Sequence, residues 1–287
     1  MNTESPEFHS LKAGIRPENL RIRSGREVRV ELSISENQLI DFLAEIGEVW
    51  IHTFTNGAKL KRRLVLNEIE NVWRHADVLA EVAGVLYDWR KWRNLWAVQR
   101  NEATGGKSFF LDVAGPEGLA HQIFLTARTR FEIFQRLVAQ CQTGDASDTY
   151  EYEASGFLEF IENRRRNTLS KMRMARRVDR AAVPNFIQCL TVNNETLRIT
   201  MLNAVVKQTV ECCFPICRVQ GTEIMLSHAD YSIEWDNACV SEAWMVQCGC
   251  VCGKEVLELY DPQKRLIASV ALPQLPPAIS NLIPTLN

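Results

Sequence analysis

The tetrapeptide Trp96-Ala97-Val98-Gln99 returns in the second half of the chain as Trp244-Met245-Val246-Gln247. In both places it precedes a Gly-Lys pair, an alternating apolar run, and a turn that contains aspartate and proline. The matching residues are Gly106-Lys107, the run through Phe110 and the turn 112–116 in the first copy, and Gly253-Lys254, the run through Leu259 and Asp261-Pro262 in the second. Because the copies lie about half of the chain apart, the pattern predicts a duplicated α+β unit.

Each copy is expected to form an antiparallel β-sheet with flanking helices, because apolar and polar residues alternate along much of it. The first repeat, with an N-terminal arm, is predicted at 1–143, a linker at 144–156, and the second repeat, with a proline-rich tail, at 157–287. If the two copies pair, a shared core or cleft between them is the place to expect a ligand.

Local signals predict where several elements begin and end. Ser35 and Gln38 have the spacing of a capping box and predict the start of a helix, and Asn56-Gly57 predicts a tight turn between two strands. The predicted strands are 27–32, 48–54, 59–66, 82–87, 95–100, 108–113, 120–125, 209–214, 223–226, 231–235, 242–247, 256–260 and 266–272, and the other predicted helices are a segment that starts near residue 126, 183–190 and 195–207.

Composition narrows the class of protein. The chain has 287 residues and a formal charge of −2, which gives no global reason to expect nucleic acid or an anionic membrane. The basic run 164–180 contains no aromatic residue for base stacking and indicates a solvated helix face. No export pattern opens the sequence and no window approaches the roughly 18 apolar residues of a membrane span. We therefore expect a cytoplasmic protein whose nine cysteines are free thiols.

The densest unusual segment is Trp89-Arg90-Lys91-Trp92-Arg93-Asn94-Leu95-Trp96. Its cations and indoles would suit a flat, acidic, aromatic ligand, because rings stack and cations pair with carboxylates. The alternative is that Trp92 and Trp96 lie in the core and the cations are solvated. His75, next to apolar residues, is a candidate iron or zinc ligand, or a histidine that is only hydrogen-bonded.

Cysteines supply further candidate ligands. Cys212-Cys213 stands in the predicted opening strand of the second unit, where the first unit has His52, and a thiolate can bind haem iron. A buried, inert pair is the alternative. The CxCxC motif of Cys248, Cys250 and Cys252 allows a zinc or iron–sulfur site only if the chain bends, and is otherwise a set of unbound thiols. No phosphate-loop, GxSxG or HExxH motif is present, which argues against a generic hydrolase or nucleotide enzyme.

Two segments resemble the HemS/ChuS/HmuS family of cytoplasmic haem proteins. GVLYDWRKWRNLWAV followed by KSFFLDVAGPEGLAHQIFL resembles that family's first repeat, and SEAWMVQ followed by VLELYDPQKRLIASV resembles its second. The residues that fall on the first-repeat pattern are Trp92, Trp96-Ala97-Val98, Phe109-Phe110, Asp112, Gly118 and His121.

The resemblance implies a saddle of two antiparallel sheets crossed by helices, with haem as the bound cofactor. It implies a bacterial role in haem binding, trafficking or utilisation and in iron transport, with haem degradation in some members. A haem-delivering transporter or a haem-accepting protein would be the partner, and exposed sheet edges would permit a homodimer. Arg90, Lys91 and Arg93 would pair with the propionates of haem, and His75 lies close to a histidine of the family's first repeat.

The chain departs from the family at the axial ligand. The family has a histidine in its second repeat where this sequence has Cys212-Cys213. The resemblance leaves three possibilities: a thiolate ligand, a ligand from elsewhere such as His75 or His228, or a chain that no longer binds haem in that manner. The alternative function is a non-enzymatic interaction protein on the same duplicated scaffold.

Overall fold

The computed structural model describes residues 21–24, 27–65, 73–75, 79–82, 84–88, 91–142, 175–247, 255–272 and 284. At 21–24, 36–37, 73–75 and 79–82 the description covers the backbone only. None of the helices in these ranges has the length and apolar character that a bilayer crossing requires.

The described residues form three helices, many strands and two short 3-10 turns. The helices are α1 (Glu36–Ile46), α2 (Phe131–Cys141) and α3 (Val183–Val192), and the 3-10 turns are Arg180–Ala182 and Asn237–Cys239. The strands are β1 (Arg21–Ser24), β2 (Glu27–Leu32), β3 (Gly47–Thr55), β4 (Ala58–Val65), β5 (Trp73–His75), β6 (Leu79–Val82), β7 (Val85–Asp88), β8 (Asn94–Asn101), β9 (Lys107–Gly115), β10 (Gly118–Thr129), β11 (Ala175–Val178), β12 (Thr196–Leu202), β13 (Val206–Cys213), β14 (Ile216–Gln220), β15 (Glu223–Ser227), β16 (Tyr231–Asp236), β17 (Glu242–Gln247), β18 (Glu255–Tyr260) and β19 (Leu266–Ala271).

The chain divides into two compact units that interleave along the sequence. The first takes its described residues from Met1–His52, Arg63–Ala83 and Trp89–Ala154, and the second from Thr53–Arg62, Gly84–Asp88 and Ser155–Asn287. The predicted linker 144–156 lies outside the described residues, so the predicted domain boundaries stay a prediction.

The first unit is an antiparallel sheet with α1 and α2. Its strands lie in the order β1-β2-β8-β9-β10-β3. The predicted capping box opens α1: the Ser35 hydroxyl accepts from the Gln38 N–H at 3.3 Å, and the Ser35 N–H donates to the Gln38 side chain at 2.9 Å. Gly47 ends α1 at a φ of 89°, a conformation that favours glycine. Apolar residues on α1 and on β9 are buried in this unit, among them Leu39, Leu43 and Leu111.

The second unit contains two sets of strands around one core. One set has the order β11-β17-β18-β19-β12-β13-β7 and the other β4-β16-β15-β14. The core joins both sets to α3, with Leu60, Trp235, Phe186, Leu197 and Leu257 among its buried members. Residues from the first half of the sequence are therefore part of the second unit, since β4 pairs with β16 and β7 pairs with β13.

The predicted duplication is confirmed by the order of the elements. Each repeat has a first strand (β2 or β11), a helix (α1 or α3), a hairpin (β3-β4 or β12-β13) and a three-stranded meander (β8 to β10 or β17 to β19). The meander lies between the first strand and the hairpin in both. The registers agree as well: Trp96 lies opposite Asp112 and Trp244 opposite Glu258, and both acids are buried.

The predicted helix 195–207 is wrong, because these residues form β12 and the start of β13. Leu197, Ile199 and Met201 are fully buried and alternate with polar residues, which is the period of a strand. This error shifted the alignment of the repeats by one strand. His52 lies on β3, the counterpart of β12, whereas Cys212-Cys213 lies on β13, so their predicted equivalence is also wrong.

Two other boundaries differ from prediction. The helix expected near residue 126 begins at Phe131, because β10 continues to Thr129. The strand expected at 82–87 is divided into β6 and β7 by a turn at Gly84, where φ is 76°.

The tip of the β3-β4 hairpin is held inside the second unit by side-chain and backbone hydrogen bonds. Gly57 approaches Cys239 so closely that a Cβ atom there would lie 2.5 Å from the Cys239 Cβ and 2.7 Å from its Sγ. The hydrogen bonds join Thr53 to Gln208, Asn203 Nδ2 to Phe54 O (2.8 Å), Thr55 Oγ1 to Ile267 O (2.8 Å), Asn56 Nδ2 to Asp261 Oδ2 (3.0 Å) and Asp236 N to Gly57 O (2.9 Å).

Gly57→Ala should destabilise the protein by about 2–4 kcal/mol, because a positive φ and a steric clash act together. Gly221→Ala is the matched control, since Gly221 has a φ of 61° and no atom within 4 Å of an added Cβ. We expect it to cost only the backbone penalty of about 1 kcal/mol. Chemical denaturation of both variants measures the difference, and equal losses would contradict close packing at Gly57.

Asp261 should contribute stability that depends on pH. Burial raises the pKa of Asp261, but hydrogen bonds from the Arg265 N–H, the Arg265 guanidinium and Asn56 outweigh it and hold the pKa below its usual value. A depressed folded-state pKa gives stability that is present above the unfolded pKa of about 3.9 and is lost as the pH falls through the folded value.

Asp261→Asn should therefore lower the free energy of unfolding by about 1.5–3 kcal/mol at pH 7 and by less in acid. Urea unfolding at pH 7 and at stepwise lower pH measures both quantities. The exposed Glu223→Gln is the control. A loss that stays constant over the whole pH range would show that the charge of Asp261 is not responsible.

Candidate functional site

The basic and aromatic segment leads into β8 in the first unit. Lys91 and Trp92 are half-buried and Arg93 is exposed. The Arg93 N–H donates to Ala114 O at 2.9 Å, which fixes the backbone here next to the end of β9. Arg90 lies outside the described residues. A role for Arg90, Lys91 and Arg93 in binding propionates stays a prediction.

Two of the predicted ligand groups cannot be placed by their side chains. His75 ends β5 and its backbone lies opposite Leu79, but the side chain lies outside the described residues. The CxCxC motif at 248–252 also lies outside them. Within the described ranges, no three His, Cys, Asp or Glu side chains come together as a metal site.

Cys212 and Cys213 occupy the end of β13 in the second unit. Cys212 is half-buried against the core. Burial, and secondarily the Cys213 thiol, raises the pKa of Cys212 to about 11, so the Cys212 thiol is protonated at neutral pH. Cys213 is exposed, and its Sγ lies 3.2 Å from Thr196 Oγ1 and donates to Asn194 O at 3.3 Å. Cys213 is therefore the accessible thiol of the pair.

His228 lies in the connection between β15 and β16, where it is half-buried. Its N–H donates to Tyr231 O at 2.7 Å, and its Nδ1 accepts from the Asp230 N–H at 3.3 Å. A neutral His228 in this arrangement carries its proton on Nε2. Ligation through Nε2 requires the proton to move to Nδ1, at the loss of one long hydrogen bond.

Tyr231 joins His228 to a half-buried cation, Arg62. The ring centroids of Tyr231 and His228 are 5.5 Å apart, and the Arg62 guanidinium carbon lies 5.8 Å from the Tyr231 centroid. Tyr231 and Arg62 are opposite each other in the β16-β4 pair, and Arg62 Nη1 lies 3.4 Å from Thr209 O. His228, Tyr231 and Arg62 therefore form one contiguous group, which we call the Arg62 cluster.

The sequence interpretation missed Arg62 and Tyr231. Arg62 stands in a run with Lys59, Lys61 and Arg63 that is typical of a solvated strand. The signal that distinguishes it is the period of two, because Ala58 and Leu60 are buried and Arg62 continues their phase. Nothing in the sequence indicates that Tyr231 lies beside it.

The other described histidines are less suited to bind iron. His121 is fully buried on β10, and burial lowers its pKa to about 3, so the side chain is neutral and inaccessible. His52 packs against Phe124 with ring centroids 4.4 Å apart, and Phe124 stacks on Phe110 at 4.5 Å. These ring contacts account for the position of the His52 side chain without a bound ligand.

Neither a protein-family model nor a curated protein matches the sequence. In structure, the chain is similar to haem-bound PhuS of Pseudomonas aeruginosa, described as a heme-binding protein, with a TM-score of 0.71 and 15% identity over 88% of this chain and 85% of that one. It is also similar to two structures of Escherichia coli ChuS, described as a heme-degrading enzyme and as a heme oxygenase. Both have a TM-score of 0.70 and 12% identity, and the matches cover 87% and 89% of this chain and 82% and 89% of theirs. This protein therefore has the α+β fold of PhuS and ChuS, as its resemblance to the HemS/ChuS/HmuS family predicted.

Proposed function

We propose that this protein binds haem and acts in its trafficking or utilisation. The observation that carries the proposal is the fold, which is shared with PhuS and ChuS over 87–89% of the chain. PhuS is described as binding heme and ChuS as degrading it, so haem is what the two descriptions share. The shared fold therefore supports haem as the ligand more strongly than it supports trafficking or degradation.

The side chains of the second unit fit the chemical groups of haem. The iron accepts an imidazole, a thiolate or a phenolate, and His228, Cys213 and Tyr231 supply one of each. The two propionates pair with cationic side chains. Candidates of this chemical type are Arg62 in the second unit and Lys91 and Arg93 in the first. When bound, haem supplies an iron centre that can bind dioxygen.

Among the candidate axial ligands, the geometry favours His228 over Cys212. An imidazole binds iron in its neutral form, whereas a thiol must first lose its proton. The raised pKa of Cys212 makes that loss unfavourable at neutral pH. His75 and Cys213 remain candidates from the sequence.

The finer functional assignments belong to the same proposal. A cytoplasmic location is expected from the sequence pattern, and an exchange of haem with a delivering transporter or an accepting protein from the resemblance to the HemS/ChuS/HmuS family. Exposed sheet edges would permit a homodimer. Haem degradation is a further activity to be tested, since the fold is shared by a protein described as a heme oxygenase.

An optical titration with haemin tests the proposal. We expect a saturable Soret band distinct from that of free haemin, since an iron ligand and a partly apolar surface change the electronic environment of the porphyrin. A spectrum that remains that of free haemin at every ratio would contradict haem binding and favour the interaction protein. Repeating the titration in air with ascorbate tests degradation, which would bleach the Soret band.

Single substitutions then identify the axial ligand. We expect Cys212→Ala to leave the Soret position and the Kd unchanged, and His228→Ala to shift the band and weaken binding by about tenfold or more, since it removes a coordinate bond. Cys189→Ala, on α3, is the control for a half-buried thiol. The opposite result, with the band lost in Cys212→Ala, would establish a thiolate ligand, and loss in His75→Ala would place the ligand in the first unit.

A further inference from the structure

Arg62 is a half-buried cation that has no anionic partner among the described residues. It continues the inward phase of Ala58 and Leu60 on β4. Among the described residues its contacts are the Tyr231 ring, a long hydrogen bond to Thr209 O at 3.4 Å and the nearby Tyr87 phenol. No described carboxylate pairs with it, and its Nε atom is buried and has no acceptor in this part of the chain.

Gln208 carries a second buried donor that has no acceptor among the described residues. It is fully buried on β13, and its Oε1 accepts from the Thr53 hydroxyl. Its Nε2 atom has no partner among the described residues. The next residue, Thr209, carries the carbonyl group that faces Arg62, so the two unsatisfied donors belong to neighbouring parts of the same unit.

This arrangement is energetically unfavourable unless an acceptor binds there. Arg62 Nε and Gln208 Nε2 are each buried without an acceptor among the described residues, and each gives up a hydrogen bond that it makes to water in the unfolded chain. The Tyr87 phenol does not neutralise Arg62, because burial raises the pKa of Tyr87 despite the opposing effect of Arg62 and keeps the phenol protonated.

The backbone of Gly84 lies beside the guanidinium. A Cβ atom at Gly84 would lie 3.4 Å from Arg62 Nη1, at the limit of ordinary contact, and the φ of 76° at this turn already favours glycine. The backbone therefore passes Arg62 with no side chain between them.

We propose that Arg62 and Gln208 form a binding site for a carboxylate of the ligand. We identify that carboxylate as a propionate of haem, an identification that rests on the proposed function. The guanidinium offers a charge and a planar set of donors, and the Gln208 amide offers a further donor. Tyr231 contacts both Arg62 and His228, so the carboxylate site and the candidate iron ligand belong to one group of side chains.

Esterification of the propionates tests this assignment. The protein should bind haemin about tenfold or more tightly than haemin dimethyl ester, because the ester removes the charge that Arg62 recognises. Arg62→Gln should reduce the ratio of the two Kd values to about threefold or less. Arg63→Gln is the matched control, since Arg63 is the next residue and its side chain is 38% exposed beside Glu48. Equal affinities of the unmodified protein for haemin and its ester would overturn the assignment.

A haem-free measurement separates this inference from the proposed function. Sodium propionate should raise the Tm of the unliganded protein relative to sodium chloride at equal ionic strength, because it binds only the folded state. The increase should disappear in Arg62→Gln and in Gln208→Met. Without ligand, Arg62→Gln should unfold no earlier than the unmodified protein, since it removes the buried Nε–H that has no acceptor among the described residues. Gln208→Met is not used for this comparison, because it also removes the acceptor of the Thr53 hydroxyl.

The outcomes of the two measurements are distinct. An increase in Tm with propionate but no binding of haemin would support the carboxylate site and contradict the proposed function. If haemin binds no more tightly than its ester and propionate does not change the Tm, the result would support the proposed function and contradict the carboxylate site. A lower Tm for ligand-free Arg62→Gln would show that Arg62 is already satisfied inside the protein, which would overturn the carboxylate site.

Discussion

The need of buried backbone N–H and C=O groups for hydrogen-bonding partners governs this fold. The second unit meets it with residues from the first half of the sequence, since β16 pairs with β4 and β13 pairs with β7. The side chains at the hairpin tip reinforce the pairing through Thr53, Thr55 and Asn56. The interleaved composition of the two units follows from this pairing, and so does the position of Arg62 inside the second unit.

Much of the fold could be predicted because its signals are local. The alternation around Trp96 and Trp244, the Ser35 capping box and the Asn56-Gly57 turn each depend on neighbouring residues alone. The prediction failed at 195–207, where Leu197, Ile199 and Met201 suit a strand but a helix was expected. Strand pairing between residues distant in sequence decides such cases, and that information is absent from a local pattern.

The candidate site was less predictable than the fold, for the same reason. Cys212, Cys213 and His228 were found by residue type, but their differences come from burial and hydrogen bonding. Cys212 packs against the core and its pKa is raised, whereas His228 lies beside Tyr231. Arg62 was missed because one charged residue in a basic strand looks like its neighbours until the face of the sheet is known. Ligand chemistry depends on these contacts, which only the folded chain supplies.

The interleaving of the units has a consequence for how the chain folds. Thr55 and its partner Ile267 are 212 residues apart, and Asn56 and Asp261 are 205 apart. Closing such long loops is entropically costly, and native contacts of high sequence separation slow folding. During synthesis on the ribosome, the hairpin tip emerges long before its partners and must wait for them with an unpaired strand edge. Until its partners are made, this exposed edge is open to pairing with other chains, which is the aggregation hazard of long-range β-topologies.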